Sequence, residues 1–167
     1  MVKGCGLQKG EKDRMKKRYY IAYGSNLNIN QMAYRCPTAK IVGTSEIPDY
    51  RLLFKGSGTG SYLTIERYRG KSVPVAVWDV TKEDERELDR YEGFPVFYYK
   101  AEMQLPVKSS KTGRVTQKNV FVYIMDESRS CGMPTKTYMR TCLEGYRDFG
   151  FYTGTLLDAL EDTMEEI

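Results

Sequence analysis

Apolar positions fall along this chain in short runs, and the spacing within each run predicts its conformation. Tyr19-Tyr20-Ile21-Ala22 is continuously apolar and ends at Tyr23-Gly24, which reads as a short strand followed by a sharp turn. Residues 28–35 read as a helix, with Asn28 as N-cap, Gln31 three residues on, and Pro37 as the stop. Residues 39–44 and 50–54 read as strands on either side of a Pro48-Asp49 turn. The glycine-rich segment 56–60 feeds a strand over 62–68, where Leu63 and Ile65 alternate with polar partners. Because it leads into a strand and not a helix, it lacks the context of a phosphate-cradling loop and reads as a hairpin turn, or as glycines admitting a ligand to the backbone.

Residues 73–80 are almost unbroken in apolarity and predict a central strand covered on both faces. A helix over 82–91 follows. Thr81 caps it, Glu83, Asp84 and Glu85 suit its first turn, and Gly93 supplies a left-handed stop with Pro95 beyond. Residues 98–107 and 119–125 read as a long hairpin with a basic, solvated tip. In 135–149, Tyr138, Met139, Cys142, Tyr146 and Phe149 recur on one helical face; a last helix over 155–166 turns Leu156, Leu160, Met164 and Ile167 inward. Strands dominate the middle and helices gather at the joints and the C-terminus. The fold class is α+β, a small mixed β-barrel-like sheet with flanking helices.

Composition changes this picture little. At 167 residues one domain is expected, with no membrane-spanning run and no signal-peptide core, so the chain reads as cytoplasmic. The net charge of +4 is uneven. Residues 1–18 carry seven Lys and Arg against Glu11 and Asp13, which leaves 19–167 at −1. The reading is a basic, disordered tail on a near-neutral domain, with no nucleic-acid or membrane partner, since nothing aromatic is interleaved with the basic residues. Cys5, Cys36, Cys131 and Cys142 are scattered, and without histidine they complete no zinc site. Cys142 reads as core.

The absence of histidine limits acid–base chemistry to carboxylates, Lys, Tyr or Cys. Two places stand out. In Tyr23-Gly24-Ser25-Asn26-Leu27 a strand turns into a helix, a geometry that gathers backbone N–H groups beside a positive helix end and suits a carboxylate or phosphate. Glu92 stands at the C-terminal end of its helix, where the macrodipole disfavours negative charge, amid Tyr91, Phe94, Phe97, Tyr98 and Tyr99. Desolvation and dipole both raise the pKa of such a carboxyl, which makes Glu92 a general-base candidate. An exposed C-cap glutamate is the equally weighted alternative.

The segments "AYGSNLNINQMAYRCP", "LDRYEGFP..YY" and "YMRTCLEGYRDFGF", in that order and spacing, resemble the γ-glutamylcyclotransferase-like family over about residues 19–152. The resemblance implies a compact β-barrel with flanking helices. It also implies an enzyme that cyclises a small-molecule γ-glutamyl amide to 5-oxoproline and releases an amine, with no metal or organic cofactor. It puts Tyr23, Gly24, Ser25, Asn26 and Leu27 at the substrate's α-carboxylate and α-amine and makes Glu92 the catalytic acid/base. It adds Tyr98, with Tyr99 as the alternative because the connection is about one residue shorter. It adds Tyr123 and Tyr138, for which core packing is the competing role. Similar proteins act on glutathione, γ-glutamyl-lysine or γ-glutamyl-tagged intermediates, and the loops 56–60 and 128–134 are expected to shape the leaving-group side. A non-enzymatic binding module is the rival from another class. A nucleic-acid binder using the tail and the fourteen tyrosines ranks last.

Overall fold

A computed structural model describes residues 17–57 and 59–167. Five strands close into a barrel in the order β1-β3-β2-β4-β5. They are β1 (Arg18–Ala22), β2 (Lys40–Ser57), β3 (Gly60–Val80), β4 (Tyr98–Ser109) and β5 (Val115–Met125). Four α-helices flank them: α1 (Ile29–Arg35), α2 (Lys82–Glu92), α3 (Lys136–Asp148) and α4 (Gly154–Glu166). All strand pairs are antiparallel except β1 with β5, where Tyr19 and Tyr20 run parallel to Val120 and Phe121 and close the barrel. With neighbours on both sides and cover on both faces, Tyr20 to Ala22 and Val75 to Trp78 are buried at every successive position.

Local signals fix most boundaries. Asn28 caps α1 by accepting from the Gln31 N–H at 3.1 Å. Thr81 and Asp84 form a reciprocal capping box on α2, and Gly93 ends that helix at φ 63°. Each such cap is worth about 1 kcal/mol.

Three expectations are corrected. Residues 39–44 and 50–54 belong to one strand, not two around a turn. At Asp49 (φ 58°) the register slips, and Asp49 accepts the Gly70 N–H at 3.0 Å. The same irregularity lets 62–68 and 73–80 run on as a single β3, with residues 68–71 lying opposite Asp49 alone. Second, Met164 and Ile167 of the C-terminal helix are exposed, and the inward face is Leu156, Ala159 and Thr163, with Leu160 packed at its edge. Thr163 is buried because its hydroxyl accepts the Phe54 N–H of β2 at 2.9 Å, an interaction no leucine supplies. Third, Arg18 is not tail. It opens β1 and pairs with Glu85 at 2.9 Å. The expected disorder of the tail concerns positions that, up to residue 16, lie outside the described residues.

No helix among the described residues is long and apolar enough to cross a membrane.

Candidate active site

The chain leaves β1 at Ala22 and enters a 3-10 turn over Ser25–Leu27. Gly24 lies close against the wall, where a Cβ would sit 3.3 Å from the Tyr138 hydroxyl and 3.5 Å from Leu63 Cβ. Within the turn, Leu27 N–H donates to the Gly24 carbonyl and Asn28 N–H to that of Ser25, both at 3.0 Å. The N–H groups of Ser25 and Asn26 are left without an acceptor among the described residues, as the first donors of a helical turn are.

Helix α3 clamps this turn from outside. Gly145 packs so closely that a Cβ would lie 2.6 Å from the Asn28 nitrogen and 2.7 Å from the Leu27 carbonyl carbon. Asn28 also donates to the Thr141 carbonyl and the Glu144 carboxylate. Leu27 is consequently wholly buried and, unlike the rest of the motif, does not line the cavity. At the start of α1 two of the first donors are already taken: Asn28 satisfies the Gln31 N–H, and Asp148 takes the Ile29 N–H at 3.0 Å.

Beside the turn lies a cavity of about 350 Å³, within the usual range of roughly 300–1,000 Å³ for small-molecule sites. Tyr23, Gly24, Ser25, Asn26, Glu92, Tyr98, Tyr123 and Tyr138 all contribute to its wall. Segments some 70 residues apart in sequence thus share one concavity because α2 returns the chain from β3 across the end of the barrel. Tyr98 lines the cavity and Tyr99 does not, since the Tyr99 hydroxyl turns out to the Glu127 carboxylate. Phe94 also points away, exposed beneath the Lys100 ammonium. The aromatic wall near Glu92 is supplied in part by Tyr20 and Tyr62, which sequence reasoning passed over because they sit on strands distant in the chain. Of the two loops expected on the leaving-group side, Thr59 from the first lines the cavity. The second, 128–134, contributes nothing to it. Its Ser130 carbonyl accepts from Gly56 N–H and its Gly132 N–H donates to Phe54, so it borders β2 instead.

The hydroxyls of the lining tyrosines are held in fixed orientations. Tyr23 donates to the Tyr123 carbonyl at 2.6 Å, Tyr98 to the Leu63 carbonyl at 2.9 Å, and Tyr123 to the Asp89 carboxylate at 2.6 Å. With their protons committed, these oxygens offer lone pairs to further partners. Tyr138 instead accepts the Leu63 N–H at 3.0 Å. Burial, followed by the charge of Glu92, pushes the Tyr23 pKa well above its ordinary value, and burial does the same for Tyr98, so both stay neutral.

Glu92 is the last residue of α2, half-buried, and it lines the cavity. Desolvation pushes its pKa up to about 8, against the opposing charge of Arg35. The buried thiols are no rival for the chemistry. Desolvation lifts Cys36 and Cys142 to about 12, where a thiolate is scarce at neutral pH. No group of three or more His, Cys, Asp or Glu among the described residues is arranged to hold a metal ion.

Arg35 was not among the residues singled out from sequence. A basic residue in the last turn of a short helix carries no signal beyond favourable interaction with the helix dipole.

Comparison with known proteins agrees with this architecture. Residues 20–140 match the family described as gamma-glutamyl cyclotransferase, AIG2-like, and the chain belongs to that family. It is similar to the human protein named gamma-glutamylcyclotransferase, 25% identical over 169 aligned residues, covering 88% of this chain and 87% of that one. A solved structure named gamma-glutamyl cyclotransferase superposes with a TM-score of 0.72 at 22% identity, over 91% of this chain and 89% of the other. YkqA from Bacillus subtilis superposes with a TM-score of 0.71 at 15% identity, over 92% of this chain and 56% of YkqA. At these identities the structural likenesses establish the fold.

Proposed function

We propose that this protein cyclises a γ-glutamyl amide to 5-oxoproline, with Glu92 as general base and then general acid. The observation that carries the reading is the sorting of polar groups in the cavity. One cavity brings together the open N–H groups of Ser25 and Asn26 and the acceptors Glu92, Tyr23 and Tyr98. A free amino-acid head has the matching polarity, a carboxylate for the donors and an ammonium for the acceptors.

In such a substrate the α-amine lies within reach of its own side-chain carbonyl. Its nitrogen forms a bond to the γ-carbonyl carbon, closing a five-membered ring, while the bond from that carbon to the leaving nitrogen breaks. Glu92 removes a proton from the amine and delivers it to the departing nitrogen, so 5-oxoproline and a free amine result. The wall's main contribution is to fold a flexible chain into this near-attack pose. A carboxyl with a pKa near 8 suits both proton transfers, being basic enough to accept and acidic enough to give. The Ser25 and Asn26 N–H groups fix the α-carboxylate in this reading. Family membership supports the same reaction.

The test is a panel of γ-glutamyl α-amino acids, glutathione and γ-glutamyl-ε-lysine, assayed for 5-oxoproline. Release from at least one member, absent in Glu92→Gln, is the expected result; no release from any member would contradict the proposal.

A further inference from the structure

We propose that Arg35 is a positioning residue of this site, locking the Ser25–Asn26 turn to Tyr91 at the end of α2 and facing Glu92 with a fixed positive charge. Four contacts define the lock. The guanidinium carbon lies 3.4 Å from the centroid of the Tyr91 ring, in stacking contact. One of its nitrogens donates to Asn26 Oδ1 and lies 3.4 Å from Ser25 Oγ. Ser25 Oγ in turn lies 3.4 Å from the Tyr91 hydroxyl, which closes a ring of three side chains with Asn26 tethered to its guanidinium.

This ring ties together the two segments on which the cavity depends. Asn26 is immobilised at both ends of its amide, since its nitrogen donates to the Tyr20 hydroxyl at 3.0 Å while its oxygen accepts from Arg35. The open N–H groups of Ser25 and Asn26 are therefore held in one orientation. On the other side, Tyr91 is the residue before Glu92, so a stacked Tyr91 fixes the last turn of α2. Tyr91 is 45% exposed, yet its ring stacks on a guanidinium and its hydroxyl meets that of Ser25. Packing into the core does not explain its place.

The charge has a second consequence. Around the Glu92 carboxyl, the phenols lining the cavity are Tyr20 and Tyr23 from β1 and its exit, Tyr62 from β3, Tyr91 from its own helix, Tyr98 from β4, Tyr123 from β5 and Tyr138 from α3. Burial holds Tyr20, Tyr23, Tyr98, Tyr123 and Tyr138 neutral. On the carboxyl's own helix, Arg90 reaches the cavity wall, but it is largely exposed and paired with Glu87 at 2.9 Å. Arg35 is thus the cation whose field opposes the desolvation of Glu92. An opposite charge at close range typically lowers a carboxyl pKa by about 1–3 units.

The proposal deepens the reading of Glu92 as an acid/base, but its test does not require turnover. Protein carrying carbon-13 at the glutamate side-chain carboxyls reports the Glu92 titration directly, with Glu92→Gln identifying the resonance. In Arg35→Gln the Glu92 midpoint should rise by about one pH unit. In Arg35→Lys, which keeps the charge and loses the planar stack, most of that rise should be absent. An unmoved midpoint in folded Arg35→Gln, or an equal rise in Arg35→Lys, would overturn the proposal. Tyr91→Leu provides an independent arm that spares the core. It frees the guanidinium, so the Glu92 midpoint should move part of the way up, and a midpoint identical to wild type would also overturn the claim. Absence of cyclising activity would leave this titration interpretable, and a failed titration would leave the cyclisation assay intact.

Discussion

Glu92→Gln is expected to release 5-oxoproline at least about 10³-fold more slowly than the wild-type protein while keeping its fold. The glutamine amide matches the carboxyl in shape and can still form hydrogen bonds, but it neither accepts the proton of an attacking amine nor returns one to a leaving nitrogen. The size of the loss follows from the composition of the wall. Tyr20, Tyr23, Tyr98, Tyr123 and Tyr138 are buried phenols with pKa values raised by desolvation, and the lining contains no histidine to take over. A mutant that loses kcat while its KM stays near the wild-type value fits a group that acts in the transition state. Steady-state kinetics on the best member of the substrate panel checks this. A loss confined to KM would assign Glu92 to binding alone.

The same substitution should stabilise the protein, and the gain should grow with pH. The folded-state pKa of Glu92, about 8, lies above its ordinary value of 4.5, so the folded protein holds the proton more tightly than the unfolded chain does. The stabilising contribution of this group is therefore fully present below pH 4.5 and is lost as pH rises through 8. At neutral pH, wild type has already lost most of it, on the order of 3 kcal/mol, and Glu92→Gln has no such loss. Urea unfolding of both proteins at about pH 5 and about pH 8.5 checks the sign, with near-equal stability at the first and a more stable variant at the second. A difference that does not change with pH would mean that Glu92 is solvated. Stability given up at a carboxyl that function needs is the trade expected of an active site.

Both predictions depend on features that were legible in the sequence to different degrees. Gly24, the Thr81–Asp84 capping box and Gly93 are local signals, each acting within a few residues, and each appears where the pattern puts it. Glu92 was legible for a related reason, since an acid at the C-terminal end of a helix breaks a local preference. Partners contributed by distant strands were not. Tyr20 and Tyr62 reach the cavity only through the barrel's closure, and Phe94 and Tyr99, which stand closer in sequence, face elsewhere. Arg35 was invisible because its partners Asn26 and Tyr91 come to it from two other elements.

Errors in the fold have the same origin. Pro48-Asp49 carries strong turn chemistry, but the long pairing of β2 with β3 absorbs it as a register slip. Thr163 has no place in the apolar pattern of the last helix, and only the Phe54 N–H from a distant strand gives its hydroxyl a buried use. Leu27 belongs to the motif by sequence and to the core by structure. The lack of a side chain at Gly145 draws α3 onto it, and the motif's polar members remain at the cavity.

The most direct test of the account is the pH dependence of kcat/KM for 5-oxoproline release, which reports the ionisation of the free enzyme's essential groups. If a desolvated Glu92 is the base, the rate rises with pH along an acid limb centred near 8, and that limb moves further up in Arg35→Gln. A limb centred near 4.5, the ordinary position of a glutamate, or a rate indifferent to pH across the neutral range, would contradict it.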